Sequence, residues 1–265
     1  METSDLAALR PHVCAIARDA AAAIMAIYDG KFEVRRKEDA SPLTLADETA
    51  EALIATALSK LTPGVPIVAE EAVAQGHVAF QGAPPPLFWL VDPLDGTAEF
   101  VARNGQFSVC IGLVSKGRPV LGTVLAPAEA ILWSGVVGVG AYRQVRDGIE
   151  TPIRARPQPS GGLVVVSSRS NGSNAEDLFL DAYRIKEHRR LGSALKFGLL
   201  AEGTADLYPR FGPTSEWDVC AGEAVLVAAG GRMARPDGRL LDYGKKGFKN
   251  PDFVATGAWN QSSPA

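Results

Sequence analysis

The apolar run LFWLV at residues 87–91 leads directly into the segment DPLDGT at residues 92–97. Five consecutive apolar residues bounded by turn signals are typical of a strand that is buried on both faces. A strand that only had to end could turn with a single Asp or Asn. Here two acids, Asp92 and Asp95, stand three residues apart at the end of the run. The pattern predicts a buried strand whose end carries two carboxylates and a positively charged partner.

The backbone of this DPLDGT segment suits both a cation and an anion. Proline fixes its own φ, and side chains three residues apart in a turn can face one point. A glycine lets the chain bend so that two successive amides point at an anion, and a helix that begins here would add the pull of its N-terminus. A simple capped turn would need only one acid. The segment therefore predicts a cation site beside a phosphate cradle, built from Asp92, the Leu94 carbonyl, Asp95, Gly96 and Thr97.

Three further acids stand at the ends of apolar runs or at helix starts. Glu70 closes the run VPIVA, Asp218 stands where an Ala-rich helix begins, and Asp47 opens the second predicted helix. Each has an ordinary explanation, because helix N-termini favour acids and strands exit into solvent. Two carboxylates about 4 Å apart repel by roughly 4 kcal/mol at an effective dielectric near 20. If these acids converge with Asp92 and Asp95, divalent cations must bind there, and all-oxygen ligands select Mg²⁺, Mn²⁺ or Ca²⁺. Spacing alone leaves their convergence open.

The composition narrows the class of protein. The 27 Lys and Arg against 30 Asp and Glu give a formal charge of −3, which argues against a general nucleic-acid binder. Cys14, Cys110 and Cys220 lie far apart without a CxxC pair, which predicts a reducing compartment, the cytoplasm, and no disulfide framework. The histidines show neither HxxxH nor HExxH spacing, which argues against a metal site built from histidines. The apolar stretch 20–27 is short and flanked by charges, which indicates an amphipathic helix rather than a signal peptide or a membrane span.

The order of the apolar runs predicts two halves, each with a sheet and helices packed against it, and thus an α+β fold. The first half has helices at 4–28 and from about Ala46, followed by strands at 65–69, 87–91, 107–114, 119–126 and 130–136. The second half has strands at 163–168, near Ile185, at 205–210 and at 252–256, with helices from Asn174, from Ser193 and over 217–230. Because the segment 150–162 is rich in Pro, Gly and Arg, we predict domains at 1–155 and 156–265.

Three motifs carry a resemblance to a known family. VAEE (68–71), DPLDGT (92–97) and WDVCAGEAV (217–225) resemble, in order and rough spacing, those of the inositol-monophosphatase-like superfamily of Mg²⁺-dependent, lithium-sensitive phosphatases. The similarity extends from SPLTLAD (41–47) to FKNPDFVAT (248–256). It implies a layered αβαβα sugar-phosphatase fold, with two sheets sandwiched by helices. It also implies two or three Mg²⁺ ions, held by Glu70, Asp92, the Leu94 carbonyl, Asp95 and Asp218.

The same resemblance implies a mechanism in which a metal-activated water attacks phosphorus directly. In the family, a Thr hydroxyl paired to an Asp orients that water and takes its proton, which corresponds here to Thr97 and Asp47. Glu70 joins them as a catalytic residue. The amides of Gly96 and Thr97 would stabilise the charge that develops on the phosphoryl oxygens. No covalent phospho-enzyme is required.

The choice of phosphate ester depends on the second half of the chain. Lys196 on a predicted helix and Arg210 in a proline-glycine turn could bind a second phosphate. A solvated helix lysine, and an ion pair between Arg210 and a neighbouring acid such as Glu216, explain the two residues equally well on physical grounds. The run SALKF…AEGTADLYPRFGPTSEWD, together with SPLTLAD, NGQFSV (104–109) and YGKKGFKNPDFVA (243–255), is similar to the bacterial CysQ branch, the 3′(2′),5′-bisphosphate nucleotidases.

This second resemblance implies removal of the 3′-phosphate from adenosine 3′,5′-bisphosphate, a by-product of sulfate assimilation, to give AMP. The implied substrate contacts are Gly96, Thr97, Ser193, Lys196 and Arg210. One departure is Ala194, where the branch usually has Ser, and a lost hydrogen bond there is worth roughly 0.5–1.5 kcal/mol. Alternatives are an inositol monophosphatase, a fructose-1,6-bisphosphatase and a non-catalytic binder of bisphosphorylated nucleotides. A small-molecule substrate is expected, with no nucleic acid and no membrane span, and both a monomer and a homodimer stay open.

Overall fold

The computed structural model describes residues 1–36, 42–77, 80, 82–169 and 174–260. Ser41, the first residue of the SPLTLAD motif, and residues 261–265 of the predicted second domain lie outside these ranges. The chain opens with two long helices, which confirms both predicted helices. These are α1 at Thr3–Tyr28 and α2 at Leu45–Leu61, and between them lies an antiparallel ribbon of β1 (Val34–Arg36) and β2 (Pro42–Thr44). No helix in the part of the chain that the structure describes has the length and apolarity to cross a bilayer.

Helix α2 begins with a capping box that fixes Asp47. The Thr44 side chain accepts a hydrogen bond from the Ala46 amide at 3.1 Å. Asp47 Oδ2 accepts from the Thr44 amide at 2.8 Å and from the Thr44 hydroxyl at 2.7 Å. This reciprocal pattern satisfies amides that a helix start would otherwise leave without partners. Asp47 is therefore buried in one orientation, and its other oxygen can bind a group from another element.

A seven-stranded sheet forms the first half of the chain. Its spatial order follows the sequence, with β3 and β4 parallel and every later pair antiparallel. The short helices α3 (Glu70–Ala74) and α4 (Thr97–Val101) flank β4. The predicted meander is confirmed, and residues 135–143 form part of a hairpin between β7 and β8. The strands are β3 Ile67–Ala69, β4 Leu87–Asp95, β5 Ser108–Ser115, β6 Arg118–Ala126, β7 Ile131–Val136, β8 Gly140–Val145 and β9 Thr151–Ile153.

Strand β4 runs four residues further than the predicted strand 87–91. Asp92 pairs with Cys110 and Asp95 pairs with Ser108, with a register shift between the two acids. A bulge tolerates a proline inside a strand, because the residues within it do not need ladder hydrogen bonds. The pair of acids thus lies on the end of a sheet strand rather than in a loop after it, and the sheet fixes their backbone.

A five-stranded sheet forms the second half, in the order β11-β10-β12-β14-β13. Strand β10 is parallel to both β11 and β12, and the remaining pairs are antiparallel. The predicted helix at 193 begins two residues later, because Ser193 has a φ of 49°. The elements are β10 Leu163–Ser168, α5 Asn174–Leu180, β11 Ile185–Leu191, α6 Leu195–Ala201, β12 Leu207–Arg210, α7 Glu216–Ala228, β13 Arg232–Ala234 and β14 Phe253–Thr256.

Helices and sheets alternate in five layers. Helices α1 and α2 cover one face of the first sheet, and α6 and α7 fill the space between the two sheets. In β10, Val164 and Val166 pack toward α6 and α7, whereas Leu163 and Val165 pack toward α5 on the outer face. This arrangement confirms the predicted layered α+β fold. The division into domains 1–155 and 156–265 stays a prediction, because one apolar cluster spans both halves.

A row of three glycines lets α7 lie close to the first sheet. Gly112 of β5 pairs with Gly122 of β6, which pairs with Gly135 of β7. A Cβ atom at Gly122 would stand 2.2 Å from the Ala221 carbonyl oxygen of α7, and one at Gly112 would stand 2.5 Å from Cys220 Sγ. Glycine in a strand commonly marks such a close backbone approach. The row therefore fixes the position of α7, whose first turn carries Asp218.

A buried carboxyl on α7 makes folding stability depend on pH. Glu223 lies 3.0 Å from Arg118 Nη2 and accepts a hydrogen bond from the Tyr243 hydroxyl at 2.5 Å. Burial raises the pKa of Glu223 from 4.5 to about 7, against the lowering effect of these two partners. The folded state thus holds a proton that the unfolded state has released between those pH values. Stability contributed by this group therefore falls as pH rises from about 4.5 through about 7.

Glu223→Gln should remove that pH dependence. We expect the wild-type protein to lose about 3 kcal/mol more unfolding free energy than the variant between roughly pH 5 and pH 8. Urea unfolding at both pH values measures the difference. The exposed Glu129→Gln is the matched control, and its curve should follow the wild type. A constant offset between wild type and Glu223→Gln at the two pH values would contradict the expectation.

Candidate active site

A cavity of about 340 Å³ opens between the first sheet and the second half of the chain. From the first half of the chain, its wall includes the predicted phosphate cradle and Glu99. From the second half, it includes the predicted substrate contacts and Tyr208. The remaining predicted residues, Asp47, Asp92 and Leu94, are buried. The structure thus brings distant parts of the sequence to one cavity. The predicted site residues that line it are Glu70, Asp95, Gly96, Thr97, Ser193, Lys196, Arg210 and Asp218.

The predicted phosphate cradle, Gly96 and Thr97, lies where β4 ends and α4 begins. Asp92 Oδ1 accepts a hydrogen bond from the Leu94 amide at 3.1 Å, which orients this buried carboxylate. Gly96 has a φ of 92° and precedes the first residue of α4, Thr97. A side chain is strained at that φ, and a Cβ here would also stand 3.0 Å from the Gln106 carbonyl oxygen. The glycine therefore permits the turn that places its own amide and that of Thr97 at the start of a helix.

The Thr97 hydroxyl links this turn to the first turn of α2 by a hydrogen bond. Its Oγ1 lies 3.0 Å from Asp47 Oδ1, the oxygen that the capping box of α2 leaves available. It also lies 3.2 Å from the Leu94 carbonyl oxygen. A hydroxyl that donates its proton to a carboxylate keeps its lone pairs for accepting another hydrogen bond. The arrangement can therefore accept a proton donor, such as water, at Thr97 Oγ1.

Burial and mutual repulsion act on the cavity acids. Burial raises the pKa of Asp218, and the charges of Asp95 and Glu70 raise it further. Burial also raises the pKa of Asp95, although Lys196 and a hydrogen bond from the Ala194 amide lower it. The Ser215 amide donates to Asp218 Oδ2 at 2.8 Å in the capping box of α7, so this acid is fixed despite the repulsion. A positive charge placed between these acids would stabilise them.

The chemistry of these acids fits Mg²⁺. All candidate ligands are oxygens, and hard divalent cations prefer oxygen donors. Within the described ranges, no three His, Cys, Asp or Glu side chains are gathered closely enough to hold an ion as they stand. Burial, and after it the charges of neighbouring acids, raises the pKa values of Asp218 and Asp95, so the ionised forms are unfavourable without a cation. These partly buried, mutually repelling acids are what a divalent cation would stabilise.

Two buried cations stand in the same cavity. Lys196 Nζ donates to the carbonyl oxygens of Leu191, at 3.2 Å, and Ser193, and it lies 5.1 Å from the centre of the Tyr208 ring. Burial lowers its pKa to about 8, although the charge of Asp95 opposes this. Arg210 is also buried, and its Nη2 donates to the Pro213 carbonyl oxygen at 2.8 Å. Lys196 is therefore no solvated helix lysine.

Glu216, the acid suggested as an example of a partner for Arg210, is paired with another cation. Glu216 is fully buried and accepts hydrogen bonds from the amides of Gly244 and Lys245, at 2.6 and 2.9 Å. Its charge partner is Lys245 Nζ, at 2.6 Å. The segment after β13 thus supplies the hydrogen bonds and the charge partner of Glu216. Sequence proximity did not reveal this, because Lys245 lies 29 residues further along the chain.

Sequence reasoning missed several residues of the cavity wall. Glu99 is buried beside Gly192, and Tyr208 lies under Lys196. Ser108 donates a hydrogen bond to Ser193 Oγ at 3.1 Å. The alternation in LYPR, where Tyr208 and Arg210 stand two apart, could have indicated that both side chains share one face of β12. Nothing in the sequence indicated that Glu99 lines the cavity.

Comparisons with known proteins agree with this architecture. A profile of the Inositol monophosphatase family matches residues 5–261. The 3′(2′),5′-bisphosphate nucleotidase CysQ of Salmonella typhimurium is 44% identical over 255 residues, covering 92% of this chain and 98% of that protein. The crystal structure of CysQ from Bacteroides thetaiotaomicron superposes with a TM-score of 0.76 at 30% identity, covering 94% of this chain and 97% of that one. Inositol monophosphatase from Anabaena has the same TM-score at 27% identity, covering 96% and 92%.

The matched region includes every motif that carried the sequence resemblance. VAEE, DPLDGT and WDVCAGEAV all lie within residues 5–261, and their acids at 70, 95 and 218 line one cavity of an αβαβα fold. The expected family is therefore confirmed by sequence, by fold and by the arrangement of the motifs. The protein belongs to the inositol monophosphatase family.

Proposed function

We propose that this protein is a Mg²⁺-dependent phosphomonoesterase that removes the 3′-phosphate of adenosine 3′,5′-bisphosphate to give AMP and phosphate. One observation carries the proposal: a single cavity is lined both by repelling acids and by two buried cations, Lys196 and Arg210. Such a cavity suits a substrate with one phosphate to hydrolyse and a second to recognise. The 44% identity to a protein named 3′(2′),5′-bisphosphate nucleotidase supports the same substrate.

The residues divide between metal binding and proton transfer. Bound Mg²⁺, as two or three ions, would lower the pKa of a coordinated water and neutralise charge on the phosphoryl oxygens. Thr97 Oγ1 orients the attacking water and accepts its proton, while the Thr97 proton passes to Asp47 Oδ1 at 3.0 Å. The amides of Gly96 and Thr97 donate to the phosphoryl oxygens. The metal ligands would be Glu70, Asp92, the Leu94 carbonyl, Asp95 and Asp218.

The second phosphate is recognised by the cations of the cavity. Lys196 and Arg210 supply the positive charge, and Ser193 supplies a hydroxyl whose oxygen already accepts from Ser108. With a pKa of about 8, Lys196 carries its charge at neutral pH. Ala194 offers no hydroxyl beside it, but its amide hydrogen-bonds Asp95. The substrate therefore bridges the acids and the cations of one cavity.

Parallel measurements of phosphate release test this proposal. Adenosine 3′,5′-bisphosphate, inositol 1-phosphate and fructose 1,6-bisphosphate are supplied with Mg²⁺, and each assay is repeated with Li⁺ and with EDTA. We expect kcat/KM to be highest for the adenosine bisphosphate by about tenfold or more, and we expect Li⁺ and EDTA to inhibit release. A preference for inositol 1-phosphate would overturn the substrate assignment. Tight binding of the bisphosphate without phosphate release would instead indicate a non-catalytic binder.

The proposed setting is the cytoplasm, where the enzyme would clear a by-product of sulfate assimilation. The three cysteines are free and buried, in keeping with a reducing compartment. The partner is the small-molecule substrate. A deletion strain supplied with sulfate as its sulfur source should accumulate adenosine 3′,5′-bisphosphate if the proposal is correct.

A further inference from the structure

One side chain of the first half connects the ends of two strands in the second half. Gln106 Oε1 accepts a hydrogen bond from the Gly192 amide at 2.9 Å and from Arg169 Nε at 3.1 Å. Gly192 directly follows β11, and Arg169 directly follows β10. Two residues further along, Ser108 Oγ donates to Ser193 Oγ at 3.1 Å. Residues 106 and 108, at the start of β5, therefore hold the loop between β11 and α6 by two hydrogen bonds, and a third ties in the end of β10.

The backbone of Gln106 is also packed between two cavity loops. Its carbonyl oxygen would stand 3.0 Å from a Cβ at Gly96 and 2.6 Å from a Cβ at Gly192. The phosphate cradle thus contacts it on one side, and the loop before α6 contacts it on the other. Neither glycine leaves room for a side chain. Residue 106 therefore sets how closely the two loops approach each other.

The same loop determines where the charge of Lys196 lies. Lys196 Nζ donates to the carbonyl oxygens of Leu191 and Ser193, which flank Gly192 on either side. A shift of Gly192 would move both acceptors and the ammonium group with them. The Gly192 amide is held by Gln106. Gln106 Oε1 thus holds the residue that lies between the two carbonyl groups to which Lys196 donates.

We propose that Gln106 is a positioning residue that selects bisphosphorylated substrates. It sets the spacing between the phosphate cradle and the cations for the second phosphate, without touching the reacting atoms. This inference rests on the proposed function, because it assigns the second phosphate to Lys196 and Arg210. Two phosphates on one sugar span a limited range of separations, so a cavity with the wrong spacing loses the benefit of binding both. A substrate with only the scissile phosphate is not subject to that requirement.

The test compares two variants with two substrates. Gln106→Met keeps the length of the side chain and removes the acceptor oxygen, whereas Gln106→Glu keeps an acceptor for both hydrogen bonds and pairs its charge with Arg169. Adenosine 3′,5′-bisphosphate and adenosine 3′-monophosphate share the scissile phosphate. We expect Gln106→Met to lower the ratio of their kcat/KM values by about tenfold, mainly through KM of the bisphosphate, and Gln106→Glu to stay within about threefold of wild type.

Gln144→Met is the matched control. Gln144 lies on β8, accepts from Arg18 and donates to the Gly148 carbonyl oxygen, away from the cavity. Its ratio should equal that of the wild type. If wild type itself does not prefer the bisphosphate, the proposed function fails. If wild type prefers the bisphosphate and Gln106→Met has the same kcat/KM ratio as wild type, the positioning role is overturned. It is also overturned if Gln106→Glu lowers that ratio as much as Gln106→Met does. An equal loss on both substrates with a lowered melting temperature would reduce Gln106 to a structural residue and also overturn it.

Discussion

Asp95→Asn is expected to lower phosphate release by about a thousandfold at millimolar Mg²⁺ while the protein stays folded. The change removes one charge and one ligand oxygen from the acids of the cavity. Burial raises the pKa of Asp95 to about 6 in the metal-free fold, although Lys196 and the Ala194 amide lower it, so the ionised side chain is a net cost to folding. Neutralising this side chain should leave the melting temperature unchanged or higher. Phosphate release and thermal unfolding are measured on the same preparation.

The control for Asp95→Asn is the same substitution at Asp181, which is exposed after α5 and does not line the cavity. Asp181→Asn should retain wild-type turnover. A second readout is Mg²⁺-dependent stabilisation, since an ion that binds the folded state raises the melting temperature. We expect Mg²⁺ to stabilise wild type and Asp181→Asn, and to stabilise Asp95→Asn much less. Near-normal turnover of Asp95→Asn in millimolar Mg²⁺ would remove Asp95 from the proposed metal ligands.

The acids of DPLDGT could be assigned to one candidate site because their motif is local. In DPLDGT, two acids, a proline and a glycine stand within six residues, so the turn and its side chains can be derived together. The convergence of Asp218 with Asp95 could not be derived in this way, since it depends on how α7 packs between the sheets. It was expected only through the resemblance. The link from Thr97 to Asp47 spans 50 residues and was likewise expected only from the family.

The remaining errors and omissions have a common physical origin. Glu216 is an acid that could pair with Arg210 by its place in the sequence, but Lys245 from a distant segment contacts it at 2.6 Å. Gln106 lies in a motif noted only for its similarity to relatives, and its partners Arg169 and Gly192 are 63 and 86 residues away. Strand β4 was ended at the first acid, because a bulge cannot be recognised before its partner strand is known. All three features depend on residues that are distant in the chain, whereas a sequence pattern reports only on residues that are close together in it.

Gly122→Ala should have the largest effect on stability, although residue 122 lies outside the cavity wall. The added Cβ would stand 2.2 Å from the Ala221 carbonyl oxygen and 2.9 Å from the Ala221 carbonyl carbon, both backbone atoms of α7. Backbone atoms inside a helix cannot move separately, so the whole of α7 must shift from the sheet. We expect the unfolding free energy to fall by about 3 kcal/mol, the upper range for overpacking, and the melting temperature to fall by about 10 °C.

Because Asp218 is in the first turn of α7, the same shift should reduce phosphate release in the fraction that remains folded. Gly161→Ala is the matched control, since a Cβ there meets no atom within 4 Å. Its unfolding free energy should stay within about 0.5 kcal/mol of wild type. Urea unfolding and phosphate release below the melting temperature measure both effects. If Gly122→Ala is as stable and as active as Gly161→Ala, then α7 does not rest on the glycine row, and another contact must place Asp218 beside Asp95.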